Sequence, residues 1–278
     1  MRVDAHVHFW GPAELALYDW MTPEMDAIRR PFGPEDLRGP LAQHGFDRAV
    51  LVQTYSSLDE TRTYLELAAA TAFIGGVVGW LDLTDPSVRE TVAALLDRPD
   101  GRYLVGIRHQ VHDEPDPDWL RRSDVRRGLR ALGEAGLAYD VLVRTRELPA
   151  ALDTARALPE LRFVVDHIAK PPIASGELEP WAEGLSALAR LENVTCKLSG
   201  LVTEAVWTRW RPEDVLPYAS RVLEWFGDER LLFGSDWPVC TLASSYGSVV
   251  SLAEQIVGAK DERVFGGNAE GVYRLPAA

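Results

Sequence analysis

Short apolar runs rich in Val, Ile and Leu alternate with longer stretches of helical spacing along almost the whole chain. The runs predict eight strands, over Val3–Phe9, Ala49–Tyr55, Ile74–Leu81, Tyr103–His109, Leu137–Leu142, Arg162–His167, Val194–Leu198 and Leu231–Asp236. They are nearly continuously apolar, as parallel strands covered on both faces should be. Helix signals lie between them. Ser57-Leu58-Asp59-Glu60 fits a capping box ahead of Tyr64, Leu65, Leu67 and Ala68. Asp85-Pro86 and Asp116-Pro117 set a cap residue before a first-turn proline. Pro212-Glu213-Asp214 opens an amphipathic helix that ends at Gly227, and a last helix is expected from Val264 to Tyr273.

Strands alternating with helices over 278 residues predict an α/β fold, a (β/α)8 TIM barrel forming one domain over residues 1–278. A doubly wound open sheet is the alternative. It usually shows a glycine fingerprint after its first strand, where this chain has His6-Val7-His8. No Ser-, Gly- or Pro-rich linker divides the sequence. The segment Gly11–Pro34, with Trp20, Met21 and Met25, is long for a strand-to-helix loop and is expected to fold over the barrel mouth. Gln110–Asp118, Ala169–Pro180 and Pro238–Gly247 are the other long loops on that face.

Composition narrows the function. With 46% hydrophobic and 26% charged residues the chain suits a soluble protein with a large core. No apolar run approaches the roughly 18 residues of a membrane span, and no signal peptide is visible. Cys196 and Cys240 are the only cysteines, which points to a reducing, cytoplasmic setting. A net charge of −13 argues against nucleic acid and anionic membranes as partners, because the long-range field repels phosphates. It leaves small molecules open.

The chemistry gathers where a barrel keeps it, at the C-terminal strand ends. His6 and His8, at i and i+2 on the first strand, share a face. Of the six histidines, all but His44 lie at or just past strand ends: His6, His8, His109, His112 and His167. Asp236 ends the apolar run Leu231–Phe233, and Lys197 sits inside an apolar strand, where it must pair or reach a cavity. His6, His8 and His167 can polarise a carbonyl oxygen, directly or through one divalent metal that Asp236 helps to hold. Asp236 can take a proton from water. Arg108 and Lys197 could bind substrate carboxylate or hydroxyl groups. Trp10, Trp80, Tyr139 and Trp237 could wall a ring, while Gln53, His109, His112 and Glu114 suit a polyol. Each has a plainer reading: His109 and His112 as loop anchors, Lys170 as a solvated loop residue, Lys197 and Asp236 as members of structural ion pairs.

Asp4-Ala5-His6-Val7-His8, Val165-Asp166-His167-Ile168-Ala169-Lys170-Pro171, Cys196-Lys197-Leu198-Ser199-Gly200, Phe233-Gly234-Ser235-Asp236-Trp237-Pro238 and the closing Gly266-Gly267-Asn268-Ala269 together resemble the amidohydrolase superfamily. More narrowly, they resemble its lactonase branch, related to 2-pyrone-4,6-dicarboxylate hydrolase. Gly106–Pro115 is similar to the sugar-lactone hydrolases of that branch, which act on L-fucono- and L-rhamnono-lactones. The resemblance implies a distorted barrel that hydrolyses a small lactone ester of fucono, rhamnono or galactono type. It gives Asp236 the role of general base and the histidines that of polarising the carbonyl, with one zinc or manganese ion or without metal. Binuclear members need a carboxylated lysine on strand 4 and a histidine on strand 5. This chain has His109 there, then Tyr139 and Asp140, so a two-metal centre is not expected. A metal-dependent decarboxylase and a non-catalytic sugar-acid binding protein are the alternative functions.

Overall fold

The structure is a computed structural model that describes residues 1–259 and 261–277; Lys260 lies outside them. Eight parallel strands hydrogen-bond in chain order: β1 (Val3–Val7), β2 (Arg48–Val52), β3 (Ile74–Gly79), β4 (Leu104–Gln110), β5 (Ala138–Leu142), β6 (Arg162–Val165), β7 (Val194–Leu198) and β8 (Leu231–Phe233). The barrel closes just past β8, where Val7 bridges Trp237, His8 N donates to Trp237 O at 2.7 Å and Asp236 N donates to His6 O at 2.9 Å. Helices alternate with the strands: α1 (Pro34–Gln43), α2 (Leu58–Ala70), α3 (Val88–Leu96), α4 (Ser123–Glu134), α5 (Leu148–Ala157), α6 (Trp181–Ala189), α7 (Pro212–Phe226) and α8 (Tyr246–Val257). The expected (β/α)8 TIM barrel is what the chain forms. No helix among the described residues is long and apolar enough to cross a membrane.

Two apolar layers result. One fills the space between strands and helices. The other lines the barrel interior with Val3, Ala5, Val50, Val52, Val78, Val105, Ala138, Val164 and Leu232, and is sealed below by Ala269, Val272 and Tyr273 of a ninth helix, α9 (Asn268–Tyr273). The expected final helix is thus broken: a π-helical turn, Arg263–Gly267, precedes α9.

The strands expected to run through the site end early. Asp166–Ala169 leaves β6 as a 3-10 turn, and β8 stops three residues before Asp236. The caps also differ in detail. Ser57 Oγ accepts from Glu60 N at 3.2 Å, as a cap should, but the Glu60 carboxylate turns away to take Thr54 N at 3.0 Å and the Thr54 hydroxyl. Asp85 accepts from Ser87 N at 2.8 Å, one turn upstream of where α3 begins. α7 ends at Gly227, with φ of +64°, as expected. The loop after β1 is pinned at its base by the antiparallel Trp10–Phe32 bridge and carries Trp20 and Met25 over the mouth.

Candidate active site

A bulge in β1 creates the site. Asp4 pairs with Ala49 and Val7 with Leu51, so three steps on β1 match two on β2. Val3 and Ala5 face the barrel interior, while Val7 belongs to the outer core. The extra residue turns His6 and His8 inward, a use of bulges common beside active sites. His8 Nδ1 donates to Val52 O at 2.7 Å, which leaves its Nε2 a free lone pair 3.1 Å from His6 Nε2. His6 Nδ1 has both a donor and an acceptor at hand, Lys197 Nζ at 3.0 Å and Asp166 Oδ1 at 3.4 Å. Either His6 tautomer is therefore supported.

His167 arrives from a left-handed run. Its φ is +53°, followed by +47° at Ile168, +59° at Ala169 and +47° at Lys170. Such angles are costly for residues with a Cβ and persist only where the surroundings fix them. Here Trp181 Nε1 holds Ile168 O at 2.7 Å, and His167 Nδ1 meets Ser199 Oγ at 2.9 Å. Gly200, with φ of +64°, passes so near the ring that a Cβ there would lie 2.6 Å from His167 Nδ1.

Asp236, itself at φ of +58°, brings the set together. Its Oδ1 lies 3.4 Å from His8 Nε2, 3.8 Å from His6 Nε2 and 3.9 Å from His167 Nε2. Burial would raise its carboxyl, but His167, then His8 and His6, hold it well below the usual range. Burial, reinforced by Lys197, lowers His6, and burial lowers His167 to about 4. Near neutrality those two imidazoles are uncharged beside an ionised carboxylate.

Beneath lies a floor of buried charge. Arg108 Nη1 donates to Asp166 Oδ2 at 2.9 Å, and Lys197 Nζ lies 2.5 Å from Asp140 Oδ2 and 3.0 Å from Asp166 Oδ1. Tyr273 of α9 donates to Asp140 at 2.8 Å. Two cations and two carboxylates alternate there, which meets the demand that buried charge be paired.

Above the floor opens a cavity of about 420 Å³. Of the expected catalytic set, His8, His167 and Asp236 line it, and His6 supports them from the floor. Of the expected substrate-binding residues, Arg108 and His112 line it. The others do not. Lys197 is fully buried and spent on Asp140 and Asp166, which is the ion-pair reading. Tyr139 is fully buried against Phe163. His109 is a loop anchor: it stacks on Trp119 at 4.3 Å, accepts from Trp80 Nε1 at 3.0 Å and donates to Glu114 at 2.7 Å. Trp80 is held in the same anchor. Trp237 packs edge-on against Phe9 and Phe32, and Trp10 against Tyr18, Trp20 and Phe32. Gln53 orients Arg108 and Gln110. Arg144, Thr203, Glu204 and Trp207 line the cavity without having been expected, and Lys170 lines it too. Arg144 stands two residues past β5, the strand-end signal that found the histidines.

The model of the amidohydrolase family matches residues 3–275. The chain belongs to the amidohydrolase family. Among family members it is 43% identical to an L-fucono-1,5-lactonase of Burkholderia ambifaria, over 99% of this chain and 96% of that protein. It is 38% identical to an L-fucono-1,5-lactonase of Burkholderia multivorans, over 99% and 97%. A crystal structure of a Burkholderia multivorans amidohydrolase with bound zinc superposes with a TM-score of 0.93 at 38% identity, covering 99% of this chain and all of that one.

Proposed function

We propose that this amidohydrolase hydrolyses the ester of a sugar-acid lactone of the L-fucono, L-rhamnono or galactono type. The observation that carries the reading is one carboxylate ringed by three imidazoles on the floor of a cavity sized for a small ring. The lactonase names of the two relatives support the substrate class.

In the proposed reaction, Arg108 and His112 hold the lactone against the floor. His167, protonated at Nε2 when its Nδ1 accepts from Ser199, stabilises negative charge growing on the lactone's carbonyl oxygen, while His6 and His8 act on that oxygen only through an ion they hold. Asp236 takes one proton from a water whose oxygen bonds to the carbonyl carbon. The tetrahedral intermediate then collapses, the ring C–O bond breaks, and Asp236 returns the proton to the departing oxygen. The product is an open-chain sugar acid. Donors aimed at the developing oxyanion are typically worth about 3–4 kcal/mol each.

The donor set also fits one divalent ion. Three Nε2 atoms face one carboxylate oxygen, His8 Nε2 is left free by the bond to Val52, and His6 Nδ1–H can donate toward Asp166 Oδ1, which leaves His6 Nε2 a lone pair. His6, His8, His167 and Asp236 would hold such an ion, which supplies Lewis-acid polarisation of the carbonyl when bound.

Proton release from a panel of sugar 1,4- and 1,5-lactones, with metal-stripped protein and with added zinc or manganese, tests the reading. Turnover above the spontaneous rate is expected. Carbon dioxide release from a carboxylated substrate, with no lactone turnover, would replace it by a decarboxylase.

A further inference from the structure

One wall of the cavity has no part in the proposed bond-making. Lys170 projects from the end of the left-handed run after β6, Glu204 from a short turn after β7, and Arg144 from the loop after β5. Lys170 Nζ pairs with Glu204 Oε1, and Arg144 Nη1 reaches Glu204 Oε2 at 3.3 Å. The Lys170 and Glu204 side chains keep only 17% and 12% of their exposure, whereas Arg144 stands at the rim with 51%. One carboxylate thus lies between two cations, and each of its oxygens serves one of them.

Without Glu204, this wall would be a fork of two cations, the arrangement that captures a carboxylate. With Glu204, each cation is engaged by one carboxylate oxygen and the wall loses one unit of positive charge, while those oxygens keep lone pairs for hydroxyl groups. The remaining charge agrees. Arg108 is neutralised by Asp166 from below, which leaves Lys170 and Arg144 facing Asp113, Glu204 and Asp236 around the cavity. An anionic ring would enter a space where carboxylates outnumber uncommitted cations.

We propose that Glu204 sets the charge preference of the cavity: it turns a two-cation wall into one that reads hydroxyl groups, so that uncharged polyol lactones are taken and carboxylated lactones refused. The proposal rests on the lactonase reading for its substrates, but not for its binding test. Burial would raise the Glu204 carboxyl, yet Lys170 and Arg144 keep it below the usual range, so it is ionised at working pH.

The test compares wild type, Glu204→Gln and the double variant Lys170→Met/Glu204→Gln, each first checked for an unchanged melting profile. Steady-state kcat/KM is measured on a neutral aldonolactone and on an aldarate monolactone, which carries a free carboxylate. Glutarate binding is measured by calorimetry. Glu204→Gln is expected to shift the anionic-to-neutral kcat/KM ratio upward at least tenfold and to tighten glutarate binding by about the same factor, as one charge-assisted contact would. The double variant should lose both gains. An unchanged ratio and unchanged glutarate affinity in a folded Glu204→Gln overturn the proposal. Should wild type turn over no lactone at all, the lactonase reading falls, and glutarate affinity alone still decides the role of Glu204.

Discussion

Asp236 is the residue on which the proposed chemistry depends most. Asp236→Asn keeps the shape but cannot take a proton, so kcat is expected to fall by about 10³-fold or more with KM little changed, measured by proton release. Gly200→Ala tests how tightly His167 is held. The new methyl would meet the ring, and its positive φ adds strain, so a loss of about 1–3 kcal/mol in unfolding free energy and a fall in kcat are expected. Glu60 carries a pH signature away from the chemistry. Burial raises its carboxyl from 4.5 to about 7, against the pull of its Thr54 hydrogen bonds. Between those values the folded state holds a proton that the unfolded chain has released, so this group's contribution makes stability fall as pH rises from about 4.5 to 7 and level off above. Urea titrations of Glu60→Gln across that range should show a shallower fall than wild type. An identical slope would mean the carboxyl titrates elsewhere.

At the level of elements, the alternation of apolar runs was enough to find all eight strands and their parallel order. It could not show where they end. β6 and β8 stop short because His167 and Asp236 need positive φ, which no residue type there announces: neither is Gly or Asn. The His6–His8 spacing placed both rings on one face, but a bulge visible only in the pairing with β2 decides which face. Aromatic residues near strand ends read as substrate walls, yet Trp10 and Trp237 pack on the loop after β1, Trp80 on His109 and Tyr139 on Phe163. Large apolar surface is as useful for anchoring loops as for binding a ring. Lys197 shows the same ambiguity for charge, since an apolar strand with one lysine does not say whether a cavity or a carboxylate awaits it. α9 tests the floor. Tyr273→Phe removes a donor from Asp140 and leaves its buried carboxylate less well served, with an expected cost of about 1–3 kcal/mol by denaturant titration.

Over the whole molecule, the sheet is continuous from β1 to β8, the ends of the barrel pair directly, and one outer core runs beneath α1 to α8. We infer that the chain unfolds as one domain. Calorimetry should give a single transition with matching calorimetric and van't Hoff enthalpies, and two resolved peaks would divide it.

The closing contact between His8 and Trp237 has a consequence in time. His6 and His8 leave the ribosome well before Asp236, because the bonds that seat them need a segment synthesised more than two hundred residues later. Until then the bulged first strand has only one neighbour, and its two imidazoles face an open trough. The nascent chain therefore carries two of the four proposed catalytic groups through that whole interval with no means of using them. Competence arrives with the seam itself, when the last strand docks on the first.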